Sequence, residues 1–272
     1  MARTYSAVFS SGFQGPEHSH PWSQLLYATS GAMTVTAGRS TWLIPPGKTV
    51  FIPAECLHSI RMWGDVAMRT VYLRSPVLHN QTCRVLSVTP LLRELILRVV
   101  ELVAVDGRDD PHMRLLSILI DEINRAPETP LLLPMPLDRR AAAIARDVLA
   151  NPASQDDLDT LARRHAAGRR TVERVFRAET GISFGLWQQK ARMLTAARLL
   201  AEGRSVTDAG LDAGYTSLSA FIAAFKRTFG CTPGQMVAAR TAITKIFELY
   251  SSVYHQLTEP ARRDPITRVL VS

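Results

Sequence analysis

Long uncharged apolar runs are missing from this sequence. A membrane span takes about 20 largely uncharged apolar residues, and the best candidate, Leu91 to Val105, is broken by Arg93, Glu94, Arg98 and Glu101. Met1 to Phe13 holds one early charge, Arg3, and no apolar core of the kind a secretory leader carries, so no membrane partner and a cytoplasmic location are expected. Cysteine is scarce. Cys56, Cys83 and Cys231 are odd in number and far apart, which supplies neither a disulfide framework nor a CxxC metal pair. Walker loop, GxGxxG, HExxH and GxSxG motifs are also absent, which weakens the common enzyme classes and leaves no catalytic residue to name.

What is present is a chain of 272 residues with 46% hydrophobic and 21% charged residues, the balance of a folded protein of about two domains. The formal charge of +8 favours a polyanionic partner without choosing one. Its distribution says more. Residues 137–238 carry fifteen Lys or Arg against ten Asp or Glu, whereas residues 81–136 carry six against eight. Six arginines crowd into Arg163–Arg177.

From Ser23 to Leu73 short apolar runs alternate with turn residues such as Ser30-Gly31, Pro45-Pro46-Gly47 and Trp63-Gly64-Asp65. This predicts strands over Ser23–Thr29, Met33–Thr36, Thr41–Ile44, Thr49–Ile52, His58–Met62 and Met68–Leu73, and hence a sandwich or a jelly-roll barrel. Residues two apart on an extended chain share a side, so His18 and His20 face together, and a neighbouring strand can bring His58 to them. Three imidazoles with an oxygen ligand from Gln24 would suit Zn, Fe, Ni or Mn. The histidines could equally line an effector pocket or be satisfied barrel residues. The spacing H-x-H-x3-Q, with Gly31 beyond it and Pro53 through His58 downstream, resembles the two cupin motifs, with Gln24 in place of a glutamate and Glu55 in place of a glycine.

Leu92, Leu95, Ile96, Val99, Leu102 and Val103 recur at helical spacing over Pro90–Val105, as do Leu115, Leu116, Leu119, Ile120 and Ile123 over Pro111–Arg125. Asp106-Gly107 should end the first helix and Asp109-Asp110 start the second. Their stripes either pack on the barrel or form a seam with a second chain. Four prolines make Ala126–Pro136 a linker, with room for a short strand at Leu131–Leu133.

Asp138 can cap a helix to about Ala150. Asp156–Ala166 and Arg169–Thr180 then form two helices around a tight turn. In the second, Val172, Val175 and Phe176 make one face and Arg170, Arg174 and Arg177 another. A helix pair that presents arginines in this way is a helix-turn-helix, with its second helix reading the major groove. After a long helix over Ser183–Ala201 the pattern recurs as Val206–Ala213 and Ser217–Phe229, whose apolar stripe of Phe221, Phe225 and Phe229 means core. The predicted DNA contacts are Arg169, Arg170, Thr171, Arg174 and Arg177 in the first unit and Thr216, Ser217, Ser219, Lys226 and Arg227 in the second. Arg170 and Arg174 are the candidates for guanine edges.

Leu161-Ala162, Thr171 through Phe176, Glu179-Thr180-Gly181 and above all Asp212 through Ser217, Ala224-Phe225-Lys226-Arg227, Phe229-Gly230 and Thr232-Pro233 resemble the AraC/XylS family of transcription regulators over residues 137–238. Ala166, Gly168 and Ala223 depart from the family's frequent glycine, serine and arginine. The resemblance implies two helix-turn-helix units, signal input through a cupin domain, usually a homodimer, and a lean toward activation with RNA polymerase as partner. The expected architecture is therefore α+β and multidomain. Residues 1–75 form a cupin-type jelly-roll sensor, and 76–136 a helical connector for dimerisation with a linker. Residues 137–238 form an all-α domain that binds double-stranded DNA. Residues 239–272 have no assigned role. The expected function is a sequence-specific regulator that answers to a small-molecule effector or a divalent metal. The alternative is a metal-dependent cupin enzyme, or a metal sensor, fused to a DNA-binding adaptor.

Overall fold

The computed structural model describes residues 1–38, 40–74, 82–105, 110–129 and 131–238. The expected amphipathic helix near Ile243–Tyr250, the tail beyond it and the Asp106–Asp109 turn lie outside them. The N-terminal half is one eight-stranded antiparallel sheet. Its centre is a ribbon of two long strands, β2 (Ser23–Ala37) and β5 (Ser59–Leu73), paired from Ser23↔Leu73 to Thr36↔Ser59. On its other edge β2 pairs first with β4 (Lys48–Ile52) and then with β3 (Ser40–Ile44). β1 (Ala2–Phe9) covers the far edge of β5, and β6 (Arg84–Ser87) covers β4.

Where turns were expected at Ser30-Gly31 and Trp63-Gly64, the chain runs straight on as strand. The ribbon bends there, with register shifts between Ala28 and Ala32. Gly31 (φ +71°) and Gly64 (φ +68°) supply the left-handed backbone of the bend. Period two divides the side chains of the ribbon. Leu26, Ala28, Val66 and Met68 point into the barrel, while Leu25, Tyr27, Val71 and Leu73 point outward. The outer set is buried as well, because two helices lie on it. These are α1 (Pro90–Glu101), capped by Thr89, and α2 (Asp110–Arg125). Leu92, Ile96 and Val99 of α1 and Leu116, Leu119 and Ile123 of α2 join Leu25, Phe51 and Val71 in one buried cluster. The barrel therefore takes up the stripes that were open to a second chain. α1 stops at Glu101, short of the expected Val105, because Val103 turns left-handed (φ +62°) and β7 (Ala104–Val105) pairs with β1. The proline-rich stretch is tied to the sheet through β8 (Leu132–Pro134), which pairs with β3.

The C-terminal half is helical. Its elements are α3 (Arg139–Ala150), α4 (Leu158–Arg164), α5 (Arg169–Thr180), α6 (Phe184–Ala201), α7 (Val206–Asp212) and α8 (Leu218–Phe229), followed by a helical segment over 233–238. Local chemistry sets nearly every boundary. Asp138, Asp157, Ser183, Ser205 and Ser217 each accept a first-turn N–H, and Gly181 and Gly230 close α5 and α8 in the left-handed region. The long helix α6 joins the two helix-turn-helix units and rests on the barrel at both ends. Near its start Trp187, fully buried, donates Nε1–H to the Pro134 carbonyl at 2.7 Å. Near its finish the Gly64 backbone is so close to the Ala201 carbonyl that a Cβ would sit 2.1 Å from it. Arg198 of α6 and Arg61 of β5 both lie over the Trp63 ring.

The turn between α4 and α5 holds a strained residue. Ala166, standing where glycine is frequent in the resembling family, has φ +50°, a conformation that costs an L residue about 1 kcal/mol. Ala166→Gly should therefore raise the urea midpoint of unfolding by the equivalent of about 1 kcal/mol at most, since glycine also loosens the unfolded chain. A lowered midpoint would show that the turn is not strained.

A candidate metal centre and nucleic-acid interface

His18 and His58 exchange backbone hydrogen bonds, His18 N–H to His58 carbonyl and the reverse, both 2.9 Å. This narrow antiparallel pairing sets the two rings 4.4 Å apart. His20, two residues along the same extended chain, brings its ring to 5.2 Å from that of His58. One ligand atom from each of the three lies within 4.8 Å of the others. The structure thus brings His18, His20 and His58 together as the spacing suggested, with Gln24 beside them.

Each ring is oriented by a backbone carbonyl. Nδ1 of His18 meets the Pro16 carbonyl at 3.0 Å, Nδ1 of His20 the Trp22 carbonyl at 2.6 Å and Nδ1 of His58 the Cys56 carbonyl at 2.8 Å. A carbonyl only accepts, so all three Nδ1 atoms carry the proton, which in the neutral ring leaves the lone pair on Nε2. Nε2 of His18 and of His58 are buried with no hydrogen-bond partner. Nε2 of His20 faces Oε1 of Gln24 at 3.2 Å. The amide of Gln24 is held the same way round from behind. Its NH2 donates to Thr70 Oγ1 at 3.1 Å and to the Tyr72 hydroxyl at 3.3 Å, and the Thr70 hydroxyl proton is committed to the Leu25 carbonyl. Two acceptors therefore confront each other at His20 and Gln24, beside two more unpaired lone pairs. A proton on His20 would relieve one of these contacts. A cation held by all of them relieves every one.

His58 is fully buried. Burial above all, helped by the neighbouring His18 and His20, drives its pKa down to about 4 against the pull of the Cys56 carbonyl. It is neutral at pH 7, the state in which imidazole ligates a metal.

The other predicted residues lie on the helical half. Arg170, Arg174 and Arg177 of α5 are exposed, opposite the buried Val172, Val175 and Phe176. With Ser183 and Gln188 of the following helix they line a concave face enclosing about 610 Å³. Arg169 behaves differently. It is paired to Asp159 at 2.8 Å and to Glu173 at 3.1 Å. Arg164, from the same run, pairs with Asp147 of α3 and with Asp156, both at 2.7 Å, and holds both carboxyls below the usual range. Thr171 is half-buried beside them. Thr216, Ser217, Ser219, Lys226 and Arg227 are exposed around α8. The Ser217 hydroxyl is occupied as the helix cap and contacts Ser219 Oγ at 2.9 Å.

Residues 7–133 match the AraC-like ligand binding domain family and residues 161–239 a helix-turn-helix domain family. The HTH-type transcriptional regulator NimR of Escherichia coli (strain K12) is 30% identical over 230 residues, 84% of this chain and 84% of that protein. The HTH-type transcriptional regulator RipA of Corynebacterium glutamicum is 36% identical over 100 residues, 37% of this chain and 30% of that one. Among solved structures, ToxT from Vibrio cholerae O395 is similar at 11% identity and a TM-score of 0.39, with 88% of this chain and 98% of that one covered. The chain belongs to the AraC family of transcription regulators. A ligand-binding barrel is followed by a helix-turn-helix DNA-binding domain. Among the described residues no helix is long and apolar enough to cross a membrane.

The unfolded chain takes up a proton on His58 near pH 6.5, whereas the folded chain resists it until about pH 4. The contribution to stability is full above pH 6.5 and is lost as pH falls through that window, about 3 kcal/mol at its upper bound. Chelator-treated protein should therefore lose stability between pH 7 and pH 4.5 more steeply than the His58→Gln variant. Parallel urea-midpoint curves for the two would contradict this origin.

Proposed function

We propose that this regulator senses a divalent transition metal through His18, His20 and His58, with the Gln24 amide oxygen as fourth donor, and reads DNA mainly with Arg170, Arg174 and Arg177. The observation that carries the metal reading is the convergence of lone pairs. Two buried Nε2 atoms lack partners, and the third faces an amide oxygen. Imidazole donors select transition metals over magnesium or calcium, and the carbonyl behind each Nδ1 is the support that ligating histidines use. The bound metal would supply a positive charge that locks His58 and His20 together.

On the DNA side, Arg170 and Arg174 offer the bidentate geometry that suits guanine, with Arg177 a turn further on. Arg169 and Arg164 serve the architecture through their ion pairs. Thr171, Thr216, Ser217 and Ser219 contribute shorter polar contacts, and Lys226 and Arg227 meet phosphates. Two units in one chain would enter successive major grooves about 34 Å apart. The reading includes a cytoplasmic homodimer that contacts RNA polymerase. The sensor comprises residues 1–75 together with 76–136, whose strands β6 to β8 complete the same sheet, the DNA-binding domain is 137–238, and 239–272 is an extension. The barrel acts in this reading as a sensor and not as an enzyme, which the relatives named above support.

Elemental analysis of protein purified without an affinity tag should find one metal per chain, lost in His20→Ala and His58→Ala variants. Metal-free protein whose DNA affinity answers to an organic ligand would overturn the metal reading. Arg170→Ala and Arg174→Ala should each weaken binding to a matched operator about tenfold or more, and blunt its preference over mismatched sites. A uniform loss on every sequence would reassign both arginines to phosphates.

A further inference from the structure

Cysteine spacing gave no pairing, yet the fold brings two thiols together. Cys56 Sγ lies 3.6 Å from Cys83 Sγ, in contact but not bonded. Cys56 belongs to the short loop between β4 and β5. Cys83 immediately precedes β6, which pairs with β4. Both residues are half-buried. Cys231 lies elsewhere, close to Lys48.

The loop that carries Cys56 is strained and tethered. Glu55 just before it has φ +60°, a position at which glycine is at ease. Its N–H donates to the His20 carbonyl at 2.8 Å. The Cys56 carbonyl accepts from Nδ1 of His58 at 2.8 Å. A change at Cys56 is thus one hydrogen bond away from two of the three histidines.

We propose that Cys56 and Cys83 form a reversible disulfide under two-electron oxidants such as hydrogen peroxide, and that the bond tightens the loop holding His58 and His20. The effect on metal affinity rests on the metal reading above, whereas the disulfide itself does not. The sulfurs need to approach from 3.6 Å to about 2.05 Å. Burial, and then the neighbouring Cys56, push the Cys83 thiol up. Either thiol completes the same sequence of steps, here from Cys56. Its sulfur bonds to one peroxide oxygen, the O–O bond breaks, and the departing hydroxide takes up the thiol proton as water. The Cys83 sulfur then attacks the sulfenic sulfur of Cys56. The S–S bond forms, the S–O bond breaks, and a second water leaves with the Cys83 proton. Two thiols have lost two electrons and two protons, and the peroxide has become two waters.

The test uses the full-length protein, oxidised with peroxide, blocked with an alkylating reagent and mapped by mass spectrometry. The expected product is an intramolecular link between Cys56 and Cys83, reversed by dithiothreitol and still formed in Cys231→Ser. It should be absent in Cys56→Ser and Cys83→Ala, whose unfolding midpoints report that they remain folded. Links to Cys231, links between chains, or both thiols remaining open to alkylation would overturn the proposal. Zinc or nickel titration of the reduced and cross-linked forms reads the second part. At least a threefold difference in affinity supports coupling to the histidines, and equal affinities refute that coupling while the mapped bond stands.

Discussion

Everything in the barrel depends on the pairing of β2 with β5 along their whole length. That ribbon places Gln24 opposite Tyr72 and brings β5 to start at Ser59, so that His58 arrives next to His18. It also exposes two apolar faces. One closes the barrel and the other requires cover, which α1 and α2 provide. A one-residue slip would exchange the two faces, turn Gln24 away from the histidines and bring Leu25 into its place. The register is specified from both sides by burial. This accounts for a long bent ribbon that remains a single sheet despite two glycines and two register shifts.

The histidine cluster shows how polar groups are made to serve a site inside such a sheet. Among the described residues no carboxylate orients its three rings. Backbone carbonyls close in sequence, from Pro16, Trp22 and Cys56, do that work instead. Each carbonyl is two residues from its histidine, so the orientation is local and moves with the loop that bears it. A site built this way is cheap to position and easily disturbed. On the helical half the opposite principle operates. Arg164 bridges Asp147 and Asp156 across separate segments, and this fixes α3 and α4 before any DNA arrives.

The helical half was legible in the sequence because its signals are local. A capping Asp or Ser and a closing glycine stand within four residues of the boundary they set, so α3, α5, α6 and α8 fall close to where spacing places them. The strands were less legible. Gly31 and Gly64 look like turn residues, and only the partner strand decides that each is a bend. β1 was missed because its alternation is weak, and its burial comes from β5. His18 and His20 announce each other at two-residue spacing. His58 needs the barrel to join them, and the lone-pair conflict at Gln24 depends on Thr70, 46 positions away. For the same reason the sequence offers Arg169 beside Arg170, Arg174 and Arg177, and only the fold shows it paired to Asp159 and Glu173. The proximity of Cys56 and Cys83 left no trace in the sequence at all.

The seating of α6 bears on how such a chain can be taken apart or recombined. This helix belongs to the DNA-binding half by sequence, yet Trp187 is bonded to the Pro134 carbonyl and the Ala201 carbonyl lies against Gly64. Met193, Ala197 and Leu200 share a buried cluster with Met33 and Met62 of the barrel. Grafting a foreign sensor in front of residue 137 would leave that apolar flank uncovered. Modularity in this protein therefore has a physical limit, set by a helix that both halves treat as their own wall.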